Sequence, residues 1–170
     1  MSNRYIKISN KKVGYGQPVF VVAEAGVNHN ARLELALKLI DAAAFAGADA
    51  VKFQTARAEQ VATPSADMAD YQTKNLGKKE SQPAMIKKLV LKEKDWPVLS
   101  KYAKERGIIF FSSPHGHIAS ADILHKLKVP AFKFGSGDLT NIPLLEHVAK
   151  FGKPMILGTG MSDLETVREA

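Results

Sequence analysis

Short apolar segments alternate with amphipathic segments along most of this 170-residue sequence. Ile109, Phe132 and Ile156 mark corresponding points of successive units, about 23 to 24 residues apart. A strand–helix repeat of this kind winds into a parallel sheet, because crossovers between parallel strands are right-handed. The repeat therefore predicts an α/β fold, and its short, regular period suits a (β/α)8 TIM barrel better than a doubly wound sheet.

Five segments have the composition of buried parallel strands: 18–24 (PVFVVAE), 49–54 (DAVKFQ), 107–113 (GIIFFSS), 131–136 (AFKFGS) and 154–160 (PMILGTG). The first helix is predicted at 31–47, where one face carries Leu33, Leu37, Ile40 and Ala44, and where Gly47 is a C-terminal cap. Further helices are predicted at 95–106, 119–127, 143–151 and, without a capping signal, 163–170. No glycine-rich dinucleotide or phosphate-loop fingerprint follows the first strand.

Composition limits the class of protein. The chain has no cysteine, which excludes disulfides and thiolate metal sites. It shows no signal peptide and no apolar span long enough for a membrane helix, so we expect a cytoplasmic protein that binds no membrane. The net charge is +7, but the basic residues are scattered. This pattern favours a solvated basic surface over a nucleic-acid partner, and an anionic small-molecule substrate is the other explanation.

Segment 55–82 has no clear period and is too long for an ordinary connection between a strand and a helix. Two interpretations remain open: an ordered loop that covers a substrate, and a flexible surface insertion. Only five strand–helix units are counted, whereas a closed barrel needs eight and usually about 250 residues. We therefore expect residues 1–170 to be the N-terminal portion of a longer barrel protein.

Polar side chains interrupt the apolar strands at their C-terminal ends. Lys52 alternates with Val51 and Phe53, and Lys133 lies between two phenylalanines, so both lysines point into the barrel if the apolar residues face the helices. An unpaired buried ammonium is costly, which argues against a filler role. Six residues share this position at strand ends: Glu24, Lys52, Gln54, Ser113, Lys133 and Ser136. They predict a site for an anion and a proton-transfer group, the alternative being a structural Glu–Lys pair.

The ordered motifs AEAGVNHN, AGADAVKFQT, FFSSP, VPAFKFGSGD and PLLEHVAKFGKPMILGTGM cover nearly all of the chain from about Val19. Together they resemble the N-acetylneuraminate (sialic acid) synthase family. The resemblance implies condensation of phosphoenolpyruvate with an N-acylated amino sugar, N-acetylmannosamine or a diamino-sugar analogue, to a nonulosonic acid and phosphate. It also implies a (β/α)8 barrel with a C-terminal antifreeze-like domain, and a homodimer. The last three barrel units and that domain are absent from this chain.

By the same resemblance, Glu24 is the catalytic glutamate. Lys52 and Lys133 bind the phosphate and carboxylate of phosphoenolpyruvate, together with the hydroxyls of Ser113 and Ser136. Two further residues contact the amino sugar: Gln54 and Asp138. The family uses a divalent metal, Mn²⁺ or Mg²⁺, whose ligands are expected outside this chain, so the 170-residue chain alone is expected to be inactive.

The chain departs from the family pattern at three places. Asp138 stands where glutamate is common, Gly158 stands where a phosphate-binding serine is usual, and SSPHGH replaces a Ser/Thr-Pro-Phe-Asp turn. The two histidines of that turn, His115 and His117, lack a third metal ligand and are interpreted as surface residues. In the NHN motif we expect a structural role, with Asn30 capping the next helix.

Other classes stay open. A phosphoenolpyruvate-dependent sugar-acid synthase of the 3-deoxy-octulosonate phosphate type would keep the barrel and the lysines, but would need a site for the acceptor's phosphate. A Schiff-base aldolase would use Lys133 as its nucleophile. A non-catalytic binding or assembly fragment is the third alternative.

Overall fold

The computed structural model describes residues 4–57, 66–67, 73–74, 77, 81–115 and 117–170. The strands are β1 (Tyr5–Ile8), β2 (Lys11–Gly14), β3 (Val22–Gly26), β4 (Ala50–Thr55), β5 (Ile109–Pro114), β6 (Phe132–Phe134) and β7 (Met155–Leu157). The helices are α1 (Leu33–Phe45), α2 (Gln82–Lys87), α3 (Asp95–Glu105), α4 (Ile118–Lys126), α5 (Ile142–Ala149) and α6 (Leu164–Glu169), and a 3-10 turn spans Ser136–Asp138. Most of segment 55–82 lies outside the described residues.

Strands β3 to β7 form the parallel part of the fold. β3, β4 and β5 are hydrogen-bonded in that order, and β6 pairs with β7. β6 also contacts β5, so the two parallel pieces are neighbours. The predicted α/β fold with a parallel sheet is confirmed. Within the described ranges β3 and β7 do not pair, so the sheet does not close into a barrel.

The first parallel strand begins later than the sequence predicts. The apolar residues Val19 and Val21 are 84% and 51% exposed, and regular pairing with β4 starts at Val22. The strand then continues to Gly26, two residues beyond the predicted end. Here the apolar run indicated a strand but not its limits, because pairing with β4 decides where the strand begins.

Helix α1 buries a slightly different face from the predicted one. Its fully covered residues are Ala36, Ile40 and Ala43, whereas Leu33, Leu37 and Ala44 pack against the edge of the core. The predicted cap at Gly47 is confirmed, because this residue follows the helix with a positive φ of 76°.

Two capping predictions are wrong. Asn30 does not cap α1: Arg32 occupies the N-cap position, and Asn30 lies in the preceding turn with a φ of 47°. Conversely α6 does have a capping signal, since Asp163 Oδ1 accepts a hydrogen bond from the Thr166 amide at 2.8 Å.

The core lies between the helices and one face of the parallel strands. Val51, Phe53, Phe132 and Phe134 are completely buried there, together with helix residues such as Leu99. Because neighbouring residues of a strand point to opposite faces, this packing turns Lys52 and Lys133 away from the helices. The fold thus directs both lysines to the inner face, as the alternation predicted.

An antiparallel hairpin precedes the parallel strands and was not predicted. β1 and β2 are joined at Ser9 and Asn10, and Ile8 is fully buried. Lys11 Nζ lies 2.9 Å from the Asp49 carboxylate, just before β4 begins. The hairpin therefore contacts the N-terminal end of the parallel strands. The predicted site residues lie at the opposite, C-terminal ends.

Within the described ranges, no helix combines the length and the apolar character that crossing a membrane requires.

Candidate functional site

Three polar side chains meet on the inner face of β3, β4 and β5. The register places Glu24 opposite Lys52, and Gln54 opposite Ser113. Lys52 Nζ lies 2.8 Å from Glu24 Oε2 and donates a longer hydrogen bond of 3.4 Å to Ser113 Oγ. Lys52 is 7% exposed and Ser113 is 3% exposed, so the ammonium is held by these two partners in a protected position.

Gly26 gives the end of β3 its shape. Its φ of 53° is in the left-handed region, and the strand register shifts between Glu24 and Gly26. A Cβ atom at position 26 would lie 3.2 Å from Glu24 Oε1 and 3.9 Å from Gln54 Nε2. Glycine therefore leaves room for two predicted site residues, Glu24 and Gln54, to approach the same point.

Lys133 extends from β6 into the same region. Burial lowers the pKa of Lys133, and the nearby charge of Lys52 lowers it further. The Glu24 and Asp138 carboxylates act in the opposite direction. Glu24 and Lys52 belong to β3 and β4, so Lys133 on β6 lies within electrostatic range of the other piece of the sheet.

Gly158, just after β7, lies close to the Lys133 ammonium. A Cβ atom there would lie 3.0 Å from Ser136 N, 3.2 Å from Phe134 O and 3.3 Å from Lys133 Nζ. The Phe134 carbonyl accepts hydrogen bonds from both Gly158 N and Lys133 Nζ. The absence of a side chain at position 158 therefore permits the close approach of the lysine, the 3-10 turn and β7.

The last predicted site residue, Asp138, ends the 3-10 turn after β6 and is 5% exposed. His115 Nδ1 lies 3.7 Å from Asp138 Oδ2. His117 has a different surrounding: its Nδ1 accepts a hydrogen bond of 3.1 Å from the Ala119 amide and caps α4. The two histidines of the H-x-H sequence thus have separate partners.

His29 is buried beneath the turn that follows Glu24. Its Nδ1 accepts a hydrogen bond of 3.1 Å from the Ala31 amide, and its ring lies 5.9 Å from that of Phe53. Burial lowers the pKa of His29. Among the described residues its Nε2 has no hydrogen-bond partner. Because Nδ1 accepts the hydrogen bond from the Ala31 amide, the proton of the neutral ring is on Nε2. This nitrogen is therefore not available as a metal ligand.

In the described part of the chain, no group of three or more His, Cys, Asp or Glu side chains could hold a metal ion.

A cavity of about 510 Å³ lies away from the predicted site, beside the hairpin turn and the start of β5, with lining residues that include Ser9, Lys104 and Phe110. None of the predicted site residues lines this cavity.

The predicted site residues form two groups along the sheet: Glu24, Lys52, Gln54 and Ser113 lie on β3 to β5, and Lys133, Ser136 and Asp138 lie on and after β6. Direct contacts join Glu24, Lys52 and Ser113 in the first group, and Lys133 Nζ and Ser136 N approach the same point beside Gly158 in the second. Two ammonium groups with adjacent hydroxyls can bind an anion with several negative oxygens. The side chain of Glu24 is 56% exposed and can reach a bound molecule to accept or donate a proton.

Sequence reasoning interpreted His115 as a surface residue and did not place it in the site; its side chain is 43% exposed and faces Asp138. The signal was its place two residues after Ser113, which puts both residues on the same face if the strand alternation continues.

The comparison with protein families identifies the family of the chain. A model described as "NeuB family" matches residues 39–170. This chain belongs to the NeuB family. Its match covers β4 to β7, and therefore six of the seven predicted site residues, Glu24 being outside it.

Individual relatives extend the NeuB likeness to β3. The N,N'-diacetyllegionaminic acid synthase of Legionella pneumophila is 42% identical over 95% of the chain and 47% of its own length. Human N-acetylneuraminate-9-phosphate synthase is 37% identical over 92% of the chain and 43% of its own length. The crystal structure of the sialic acid synthetase of Leptospira borgpetersenii superposes with a TM-score of 0.84 and 31% identity, covering 97% of this chain and 53% of that one.

The chain spans less than half the length of these two curated relatives.

Proposed function

We propose that the intact protein containing this chain condenses phosphoenolpyruvate with an N-acylated amino sugar, N-acetylmannosamine or a diamino-sugar analogue. The products are a sialic-acid-type nonulosonic acid and phosphate. The observation that carries the proposal is the convergence of Lys52, Lys133 and Glu24 at one edge of the parallel sheet of a NeuB-family chain. Further barrel units and an antifreeze-like domain outside these residues complete the proposed enzyme, which acts as a homodimer in the cytoplasm.

Anion binding is the role of the two lysines. Phosphoenolpyruvate carries a carboxylate and a phosphate, and its charge is offset by Lys52 and Lys133, with hydroxyl donors at Ser113 and Ser136. Ser113 already lies beside Lys52, and Ser136 belongs to the turn that packs against Gly158. Each ammonium therefore has a hydroxyl-bearing residue in its neighbourhood, which suits a ligand with several acceptor oxygens.

Carbon–carbon bond formation is the reaction proposed for phosphoenolpyruvate and the sugar bound at these residues. C3 of phosphoenolpyruvate bonds to the aldehyde carbon of the open-chain sugar, water adds at C2, and phosphate leaves by C–O cleavage. Glu24 is held at 2.8 Å from Lys52 and shuttles a proton between the attacking water and the alkoxide oxygen. The sugar side of the site is formed by Gln54 and Asp138.

A divalent metal, Mn²⁺ or Mg²⁺, belongs to the proposal for the intact protein and would polarise the acceptor aldehyde when bound. The described residues do not fit the ion, because they form no group of three or more suitable ligands. The roles given to Glu24, Lys52 and Lys133 do not depend on it.

Product analysis tests the proposed reaction. The intact protein is incubated with Mn²⁺ or Mg²⁺, phosphoenolpyruvate and a panel of N-acylated amino sugars, and the products are identified by mass spectrometry. A nonulosonic acid formed together with one equivalent of phosphate supports the proposal. Absence of such a product with every sugar of the panel would refute it.

The acceptor's phosphorylation state needs its own comparison. The relatives include a synthase named for N,N'-diacetyllegionaminic acid and one named for N-acetylneuraminate 9-phosphate. The proposal takes the unphosphorylated sugar as the acceptor. Phosphate release is measured with matched phosphorylated and unphosphorylated acceptors. Faster turnover of the phosphorylated sugars would point to the other type of synthase.

A Schiff-base aldolase is a second candidate because of one observation. The pKa of Lys133 is lowered by burial and by Lys52, which favours the neutral amine, the nucleophilic form of a lysine. Borohydride is added with pyruvate or with an aldehyde sugar, and the mass of the protein is measured. A stable adduct on Lys133 would support the aldolase. If Lys133 stays unmodified during turnover, the aldolase is excluded and the synthase proposal stands.

A further inference from the structure

His115 occupies a fixed position at the mouth of the site. It follows the last residue of β5, and its amide donates hydrogen bonds of 2.9 Å to the carbonyl oxygens of Thr55 and Ser113. The bond to Thr55 joins the end of β5 to the end of β4. The backbone of His115 is therefore held by two strands, although its side chain is 43% exposed.

The side chain turns toward the inner face. Ser113, two residues earlier, is opposite Gln54 and beside Lys52 on that face. His115 Nδ1 lies 3.7 Å from Asp138 Oδ2, on the turn after β6. His115 thus lies beside Asp138, one of the two residues that the proposed function places next to the amino sugar.

The two members of this contact differ in burial. The Asp138 side chain is 7% exposed, whereas that of His115 is 43% exposed. A buried carboxylate facing one ring nitrogen orients an imidazole and leaves the opposite ring edge, which carries Nε2, for another partner. The distance of 3.7 Å is longer than a hydrogen bond, so Asp138 faces the ring nitrogen without bonding it directly.

We propose that His115 contacts the acceptor sugar through Nε2 and that Asp138 is its positioning residue. The group recognised is a hydroxyl or the N-acyl N–H of a polyhydroxylated sugar, because in a neutral imidazole whose Nδ1–H points toward the Asp138 carboxylate, Nε2 accepts a hydrogen bond from such a donor. This inference rests on the proposed function and adds a specificity-determining residue to it. His117, whose Nδ1 caps α4, has no part in the contact.

Kinetics of the intact protein test the role of His115. His115→Ala should raise the KM for the amino sugar roughly tenfold, the usual effect of losing one hydrogen bond in a site, and leave the KM for phosphoenolpyruvate unchanged. His115→Gln, whose amide oxygen keeps a hydrogen-bond acceptor, should restore part of the loss. His117→Asn is the matched control, because asparagine keeps the helix cap. Equal changes in both KM values, or no change in either, would overturn the proposal.

The role of Asp138 is measured by a double-mutant cycle. Asp138→Asn removes the charge that orients the ring at nearly constant size. In this background, His115→Ala should raise the sugar KM by a smaller factor than in the wild-type protein. Fully independent effects of the two substitutions would show that Asp138 does not position His115.

Binding without turnover separates this inference from the proposed reaction. The imidazole proton signals of the intact protein are followed by NMR while N-acetylmannosamine or a diamino analogue is added, and His115 and His117 are assigned from the two variants. The His115 signal should shift and the His117 signal should not. A shift without nonulosonic acid formation would sustain the sugar contact and refute the reaction. Turnover with an unmoved His115 signal would sustain the reaction and refute the contact.

Discussion

Lys52 Nζ lies 2.8 Å from Glu24 Oε2, and the two side chains differ in exposure, 9% for the lysine and 56% for the glutamate. The pair therefore consists of a buried cation and an accessible anion. A ligand carboxylate or phosphate can approach Lys52 only where Glu24 and Ser113 leave room. Glu24, in contrast, remains free to meet a reacting group. The same contact thus supports a binding role for one residue and a proton-transfer role for the other.

Removal of the buried charge should weaken anion binding. We expect Lys52→Ala in the intact protein to reduce the affinity for phosphoenolpyruvate by about 2 to 4 kcal/mol, as for loss of one partner of a buried charge pair. Titration calorimetry measures the change. Lys101→Ala is the control, because Lys101 is 80% exposed and pairs with Glu105 at 3.8 Å on the surface of α3. Similar losses in both variants would show a general charge effect instead of a specific site.

Glu24→Gln should affect turnover more than binding. The amide oxygen of glutamine can still accept a hydrogen bond from Lys52, but the side chain no longer transfers a proton. We expect near-normal affinity for phosphoenolpyruvate and a kcat lower by about 100-fold. Calorimetry and initial rates are compared on the same preparation. A loss of binding equal to that of Lys52→Ala would mean that Glu24 only holds the lysine in place.

Strand alternation explains why much of the site could be predicted from the sequence. In VKFQ and AFKF the apolar residues mark the helix side, so the lysines between them must face inward. The same reasoning separates the neighbouring serines: Ser113 shares the face of Lys52, whereas Ser112 bonds Thr55 at 2.8 Å on the opposite face. Local periodicity was sufficient here because each residue's face depends only on its own strand.

Features that depend on contacts between distant segments were not predictable in this way. The burial of His29 requires the turn after β3 to fold over Phe53. The contact of His115 with Asp138 joins the segments that follow β5 and β6, and these two residues are 23 positions apart in the sequence. The β1–β2 hairpin was missed although two residues join its strands, because its alternation is short and only Ile8 is buried completely.

The pH dependence of phosphoenolpyruvate binding should reflect the lowered pKa of Lys133. Burial and Lys52 favour its neutral form, so the ammonium is lost at a lower pH than for an ordinary lysine. Affinity should therefore fall on the alkaline side, beginning below the usual lysine range. Asp138→Asn removes a charge that raises this pKa, and should move the alkaline fall to still lower pH. Binding curves measured from neutral to alkaline pH provide the check, and identical curves for both proteins would contradict it.

Acid sensitivity of the fold should come in part from His29. Its pKa is lowered in the folded state by burial, while the unfolded value is near the ordinary 6.5. Between the folded and unfolded pKa values, the unfolded state binds more protons. The stabilising contribution of His29 is therefore complete above the unfolded pKa and is lost as the pH falls toward the folded pKa. The slope is at most about 1.4 kcal/mol per pH unit. His29→Asn should make the free energy of unfolding, measured with urea, depend less on pH. His117→Asn should leave this dependence unchanged.

Gly158 should be required for the arrangement of the anion site. A Cβ at this position would lie 3.0 Å from Ser136 N and 3.3 Å from Lys133 Nζ, so Gly158→Ala forces these groups apart. Gly160→Ala is the matched control, because its nearest contacts, to Ser136 Cβ and Oγ, would be an ordinary 3.6 Å. We expect the KM for phosphoenolpyruvate to rise roughly tenfold in Gly158→Ala, about 1.4 kcal/mol, with the sugar KM unchanged. Equal effects of the two substitutions would show that the space at position 158 does not position Lys133.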